Sequence, residues 1–89
     1  MFVDIAGYTA LMQKDEPRAI SLLVRFKEVL EARAATWQGN IIQFYGDGCL
    51  LVFISSANAV QFAREVQQDF SETPAVPARM GIHSGSLFP

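Results

Sequence analysis

The chain has few of the residues that build disulfides and zinc sites. It contains one cysteine, Cys49, and one histidine among its 89 residues. A single cysteine excludes an internal disulfide and a cysteine-rich zinc site. Long apolar runs are also missing, because the longest run, at 49–54, is far shorter than the roughly 20 residues of a membrane-spanning helix. Asp4 interrupts the first apolar stretch, so no signal peptide is expected. We therefore expect a cytoplasmic domain, or the cytosolic part of a larger protein, without direct membrane contact.

Charge is scarce as well: charged residues make up 18% of the chain, and the net charge is -2. A nucleic-acid reader usually carries a basic stripe, so no nucleic-acid partner is expected. The apolar content of 51% is too high for a disordered segment and sufficient for a core. The sequence starts within a predicted strand and ends shortly after another. We therefore expect residues 1–89 to be a single domain fragment, truncated at both ends.

Hydrophobic patterning predicts strands and helices in a βαββαβ order. Strands are predicted at 1–5, 41–45, 49–54 and 76–84, and helices at 8–13, from 15 to about 37, and from Ser55-Ser56 onward. The predicted buried faces of the two long helices are Ala19, Ile20, Leu23, Phe26, Leu30 and Ala34, and Ala59, Val60, Ala63, Val66 and Phe70. The charged residues of the second helix should pair with their helical neighbours in solvent. The order predicts an α+β, ferredoxin-like fold, with an antiparallel sheet covered by helices on one face.

Two aspartates are the first candidates for chemistry. Asp4 lies near the end of the first strand, and Asp47 lies in the Gly46-Asp47-Gly48 hairpin. Strand one of a βαββ sheet lies beside strand three, so the two carboxylates should meet at one edge. Mg²⁺ usually takes one or two carboxylates plus phosphate oxygens. The alternative is that each aspartate serves only as a turn or cap residue.

The loop that follows Asp4 is the second candidate. Ala6, Gly7, Tyr8 and Thr9 lead from the first strand into a helix. Amides at a helix start bind phosphate oxygens, and glycine allows a close approach. Together with the aspartates, this loop predicts metal-assisted phosphoryl or nucleotidyl transfer.

Three segments, FVDIAGYT at 2–9, YGDG at 45–48 and RMGIHSG at 79–85, resemble the catalytic domain of class III adenylate/guanylate cyclases. The resemblance implies two Mg²⁺ or Mn²⁺ ions per site, held by Asp4, Asp47 and the carbonyl of Ile5. It places the β- and γ-phosphates of a nucleoside triphosphate on Ala6 to Thr9. It also implies formation of a 3′,5′-cyclic nucleotide and pyrophosphate in a homodimer, or in a heterodimer with another cyclase domain.

The base-binding position departs from this family. The family has lysine for adenine or glutamate for guanine where this chain has Gln43. A glutamine amide both donates and accepts, so discrimination should be weak, with ATP favoured over GTP. The family's asparagine and arginine that complete the site follow the last motif, beyond Pro89, and we expect this fragment alone to be inactive.

Other interpretations stay open. One is a catalytically silent cyclase-like domain that serves nucleotide binding or dimerisation in signalling. A diguanylate-type cyclase would need a Gly-Gly-Asp/Glu-Glu-Phe hairpin, which residues 45–49 lack, and an RNA-binding module would need a basic surface.

Cys49 is interpreted as an inert core thiol, His83 as a structural strand residue, and Arg79 as an anchor for a loop or a carboxylate.

Overall fold

The strands and helices follow the chain in the predicted order. The computed structural model describes residues 1–72 and 75–82. Its strands are β1 (Phe2–Ile5), β2 (Asn40–Tyr45), β3 (Gly48–Val52) and β4 (Ala78–Gly81), and its helices are α1 (Tyr8–Lys14), α2 (Glu16–Thr36) and α3 (Ser56–Ser71). The strands pair antiparallel in the order β2-β3-β1-β4. The predicted α+β, ferredoxin-like fold is therefore confirmed. No helix in the described ranges is long and apolar enough to cross a membrane.

The ends of the elements follow from local chemistry. Asp15 caps α2, because its side chain accepts a 3.3 Å hydrogen bond from the amide of Arg18. Ser55 caps α3 in the same way, accepting from the amide of Asn58 at 3.2 Å. β4 begins and ends inside the predicted 76–84 strand, and positions 83 and 84, including His83, lie outside the described residues.

The C-terminal end of α2 has a left-handed residue that is not glycine. Gln38 adopts a left-handed conformation with φ of 58°. The amide of Gly39 then donates to the carbonyl of Ala34 at 2.8 Å, which closes a Schellman motif. Glycine normally takes this left-handed position. The helix therefore ends where predicted, but the left-handed residue is Gln38 and not the following Gly39.

The core lies between the sheet and the long helices, and two residues of the predicted buried faces are wrong. Ile20 is 46% exposed and Val60 is 50% exposed, whereas Leu22 and Phe62 are buried. The buried stripes run through Leu22, Phe26 and Leu30 on α2 and through Ala59, Phe62, Ala63, Val66 and Phe70 on α3. Phe26 and Phe70 stack with ring centroids 5.7 Å apart, which joins the two helices. Ile20 and Val60 each lie at the margin of the buried stripe.

The charges of α2 connect it to α3 instead of pairing along the helix. Arg33 contacts Asp69 at 2.6 and 2.9 Å and Glu65 at 2.8 Å. Arg25 donates to the carbonyl of Asp69 at 2.8 Å. The hydrogen bond from Arg33 lowers the pKa of the Asp69 carboxyl. The expectation that these arginines form solvated pairs within α2 is therefore wrong, because the antiparallel packing of the helices brings acids of α3 within reach.

Cys49 lies in the core, as predicted. Its side chain is fully buried on β3. Desolvation raises the pKa of the thiol to about 11, with a smaller contribution from the charge of Glu31. The thiol is therefore protonated at neutral pH, as expected for a packing residue.

Among residues 1–72 and 75–82, no helix covers the second face of the sheet, which carries Asp4 and Gln43 of the candidate site. Val3 and Ile5 are buried towards the helices, so the alternating residues Phe2 and Asp4 face the other side. Strand register adds residues of the other strands to this open face. The open face comprises Phe2, Asp4, Gln43, Tyr45, Gly48, Leu50 and Arg79.

Candidate functional site

The segments that carry the two aspartates are adjacent. The amide of Ile5 donates a 3.0 Å hydrogen bond to the carbonyl of Asp47. Asp4 lies opposite Gly48 in the β1–β3 register, so the hairpin tip is fixed against the last residues of β1. The Asp4 side chain is 25% exposed, and Asp47 is half-buried. The antiparallel pairing of β1 and β3, which are distant in sequence, therefore brings residues 4, 5 and 47 together where β1 ends and β3 begins.

Asp4 is paired with a cationic side chain from the neighbouring strand. Arg79 lies directly opposite Asp4 in the β1–β4 register. Its Nε donates to Oδ1 of Asp4 at 3.0 Å, and its Nη2 donates to Oδ2 at 3.4 Å. The Arg79 side chain is 70% exposed. Arg79 thus anchors a carboxylate, as one of the two interpretations of this residue predicted.

The loop after β1 has the backbone shape that a glycine permits. Gly7 has φ of 70° and ψ of 20°, and it precedes α1 without any side-chain hydrogen bond to the first turn. The amide of Ala6 donates to the carbonyl of Pro77 at 2.7 Å, which fixes the loop against the chain entering β4. Tyr8 packs against the core and Thr9 is exposed. In the part of the chain that the structure describes, no side chain caps the first turn of α1, as phosphate contact there would require.

Gln43 lies farther from the aspartates. It is exposed on β2 and pairs with Leu50 of β3. β3 separates it from β1, a lateral distance of about 10 Å at ordinary strand spacing. A register shift between Ile41 and Gln43 leaves Ile42 as an extra residue in β2. The structure thus places Gln43 on the same open face as Asp4, but not in the cluster formed by Asp4, Arg79 and the hairpin.

A contact that the sequence analysis missed lies beside the aspartates. A Cβ at Gly48 would lie 2.7 Å from Cζ of Phe2, so the ring packs directly over this glycine. The sequence indicates only a turn role for Gly48. Gly46, with φ of 57°, is the residue that needs the left-handed conformation. Only the β1–β3 register could have revealed the role of Gly48, and single-sequence patterns do not supply it.

The donors at this edge fit a hard divalent cation. Among the described residues, no group of three or more His, Cys, Asp or Glu side chains could hold a metal ion. This excludes, for that part of the chain, a zinc site built from such a cluster. Two carboxylates and the backbone carbonyl of Ile5 match the chemistry of Mg²⁺ or Mn²⁺, which complete their shell with water and phosphate oxygens. Binding of a cation by Asp4 and Asp47 stays a prediction.

Comparison with known proteins gives one informative similarity. No family model matches the chain. The chain is 38% identical over 92 residues to a protein of Rhizobium meliloti (strain 1021) named "Putative adenylate cyclase 3". The match covers 94% of this chain and 16% of that protein, so the chain spans about a sixth of its length. The chain is thus similar to a cyclase-related region.

Proposed function

We propose that the chain is part of a nucleotidyl cyclase catalytic domain. Its reaction would convert a nucleoside triphosphate, ATP in preference to GTP, into a 3′,5′-cyclic nucleotide and pyrophosphate. The observation that carries the proposal is the 3.0 Å bond between Ile5 and Asp47, which holds both aspartate segments at one sheet edge beside the Gly7 loop. The similarity to a protein with an adenylate cyclase name supports the same function.

The chain's own residues would bind and orient the substrate. Amides of Gly7 to Thr9 would donate to the β- and γ-phosphates, whereas the amide of Ala6 already donates to the carbonyl of Pro77. The amide group of Gln43 would contact the base. Two Mg²⁺ or Mn²⁺ ions, bound at Asp4, Asp47 and the Ile5 carbonyl, would lower the pKa of the ribose 3′-hydroxyl and neutralise phosphate charge. The 3′-oxygen would lose its proton to water and attack the α-phosphorus, and the bond between the α-phosphorus and the bridging oxygen would break to release pyrophosphate.

A second cyclase domain, identical or different, would complete the site. The open face of the sheet carries apolar side chains in water: Phe2 is 41% exposed and Tyr45 is 48% exposed. Exposed apolar side chains around a polar site are typical of surfaces that bind another protein. This face also carries Asp4 and Gln43, so a partner that covers it would enclose the proposed site.

The test is turnover by the complete protein that contains this chain. The protein is incubated with Mn²⁺ and ATP or GTP, and cyclic nucleotide is measured by chromatography with mass detection. We expect Asp4→Asn and Asp47→Asn each to abolish the metal-dependent product while the fold persists, because asparagine keeps the shape but loses the charge. Asp15→Asn is the matched control, since Asp15 only caps α2 and asparagine is also a good cap.

Two outcomes would contradict the proposal. Activity in the Asp4 and Asp47 variants equal to that of the unmodified protein would remove their metal role. Absence of cyclic product from the unmodified protein at every concentration would favour the second candidate, a silent cyclase-like domain that binds nucleotide or dimerises. The uncharged Gln43 at the base position is the observation that favours this second candidate.

The base preference provides a separate test. Gln43→Lys places a donor-only cation at the position where the similar family uses lysine for adenine, so the ratio of ATP to GTP turnover should rise. Gln67→Lys, at an exposed position of α3, adds the same charge away from the open face. An unchanged ratio in Gln43→Lys would show that Gln43 does not contact the base.

A further inference from the structure

The proposed metal ligand Asp4 already has a cationic partner within the chain. Both of its carboxylate oxygens accept hydrogen bonds from Arg79, at 3.0 and 3.4 Å. We propose that Arg79 is an internal counter-ion that occupies Asp4 in the nucleotide-free protein and is displaced when a divalent cation binds there. This inference rests on the proposed function, because it assumes that Asp4 is a metal ligand.

The register of β1 against β4 places Arg79 where it competes with a cation for Asp4. Asp4 and Arg79 are directly opposed on neighbouring strands and face the same side of the sheet. A divalent cation needs an oxygen of Asp4 at roughly 2.1 Å. A guanidinium that keeps both of its bonds would then lie within about 4–5 Å of the metal, where like charges repel strongly. Arg79 and the cation therefore exclude each other at this carboxylate.

The exposure of Arg79 makes its displacement possible. Its side chain is 70% exposed, so the guanidinium can rotate into solvent without opening the core. Exposed ion pairs contribute little to stability, so breaking the pair of Arg79 with Asp4 costs little free energy. Competition from Arg79 should therefore weaken cation binding about two- to fivefold without preventing it. Arg79 is in this respect a positioning residue, since it acts on the metal through Asp4.

The experiment measures cation binding in the absence of nucleotide. Mn²⁺ is titrated into the complete protein, and free Mn²⁺ is measured by electron paramagnetic resonance. We expect Arg79→Gln to bind Mn²⁺ about two- to fivefold more tightly. Arg79→Lys, which keeps the charge and loses the planar fork, should show a smaller increase. Arg64→Gln on the exposed side of α3 removes the same charge away from Asp4 and should leave binding unchanged.

Asp4→Asn variants distinguish failure of this inference from failure of the proposed function. If Asp4→Asn leaves Mn²⁺ binding unchanged, Asp4 is not a ligand, and both the metal role and the inference are overturned. If binding depends on Asp4 but Arg79→Gln matches the unmodified protein, or gains no more than Arg64→Gln, the inference alone is overturned.

A second measurement needs no variant at Arg79. In ¹⁵N-labelled protein, the Nε–H of Arg79 should exchange with water slowly while it is bound to Asp4. Saturating Mg²⁺ should speed this exchange and shift the resonance. An Arg79 resonance that Mg²⁺ saturation leaves in place, with unchanged exchange, would overturn the inference.

Discussion

The packing of Phe2 over Gly48 predicts a stability effect that depends on both residues. In Gly48→Ala, the new methyl group would lie 2.7 Å from Cζ of Phe2 and 3.3 Å from its Cε1. Ordinary carbon contacts lie at about 3.5–4.0 Å, so the ring must move by about 1 Å or swing outward. The ring is a side chain at the surface, and it can therefore yield without displacing the strands.

The magnitude follows from the exposure of the ring. Phe2 is 41% exposed, so about 120 Å² of a side chain of roughly 200 Å² is covered. Losing half of that cover costs about 1.5 kcal/mol at 25 cal/mol per Å². Replacing glycine by alanine stabilises the folded chain by about 0.5–1 kcal/mol, because it lowers the conformational entropy of the unfolded chain. We therefore expect Gly48→Ala to lower the free energy of unfolding by about 0.5–1 kcal/mol.

The assay is a double-mutant cycle with Phe2→Ala. Urea unfolding of the chain is followed by the fluorescence of Trp37, its single tryptophan. Once the ring is gone, Gly48→Ala should become neutral or stabilising, giving a coupling of about 1–1.5 kcal/mol. Gly46→Ala is the matched control, because a Cβ there meets no atom within 4 Å and its cost comes from φ of 57°. The effects of Gly46→Ala and Phe2→Ala on the free energy of unfolding should add. If the effects of Gly48→Ala and Phe2→Ala also add, the steric explanation is refuted.

Two further predictions concern the helices. Gln38→Gly should raise the free energy of unfolding by about 0.5–1 kcal/mol, because glycine adopts the left-handed φ of 58° without strain; a lower urea midpoint would contradict it. Asp69→Asn should destabilise the chain at pH 7, because the carboxylate that accepts from Arg33 is lost. The lowered pKa of Asp69 means that its contribution is complete above the ordinary value of 3.8 and disappears as the pH falls through the folded-state pKa. The urea midpoints of the two proteins should thus converge as the pH falls below 3.8, and parallel pH profiles would contradict this explanation.

The fold was predictable because local signals agree with the global topology. The Asp15 and Ser55 caps, the Gly46 turn and the alternating burial of β1 each indicate one element, and the βαββαβ order leaves few arrangements of strands. The errors at Ile20 and Val60 arose because an apolar residue at the margin of a helical stripe satisfies the pattern equally well. Packing against the sheet then decides which neighbour is buried.

The candidate site was only partly predictable. Placing Asp4 beside the hairpin of Asp47 needs only the strand order, which the topology supplies. The pairing of Asp4 with Arg79 needs the exact register of β1 against β4, and the packing of Phe2 over Gly48 needs that of β1 against β3. Register depends on bulges and turn geometry that the sequence does not encode in a simple pattern. The individual metal, phosphate and base contacts therefore stay predictions.

The extra residue in β2 has a consequence for self-association. β2 is an outer strand of the sheet, and its outward backbone groups could pair with a strand of another molecule. The irregularity at Ile42 interrupts the regular spacing of those groups and increases the local twist. A second chain could not continue the ladder in register past this point. A single inserted residue thus limits lateral growth of the sheet at the β2 side.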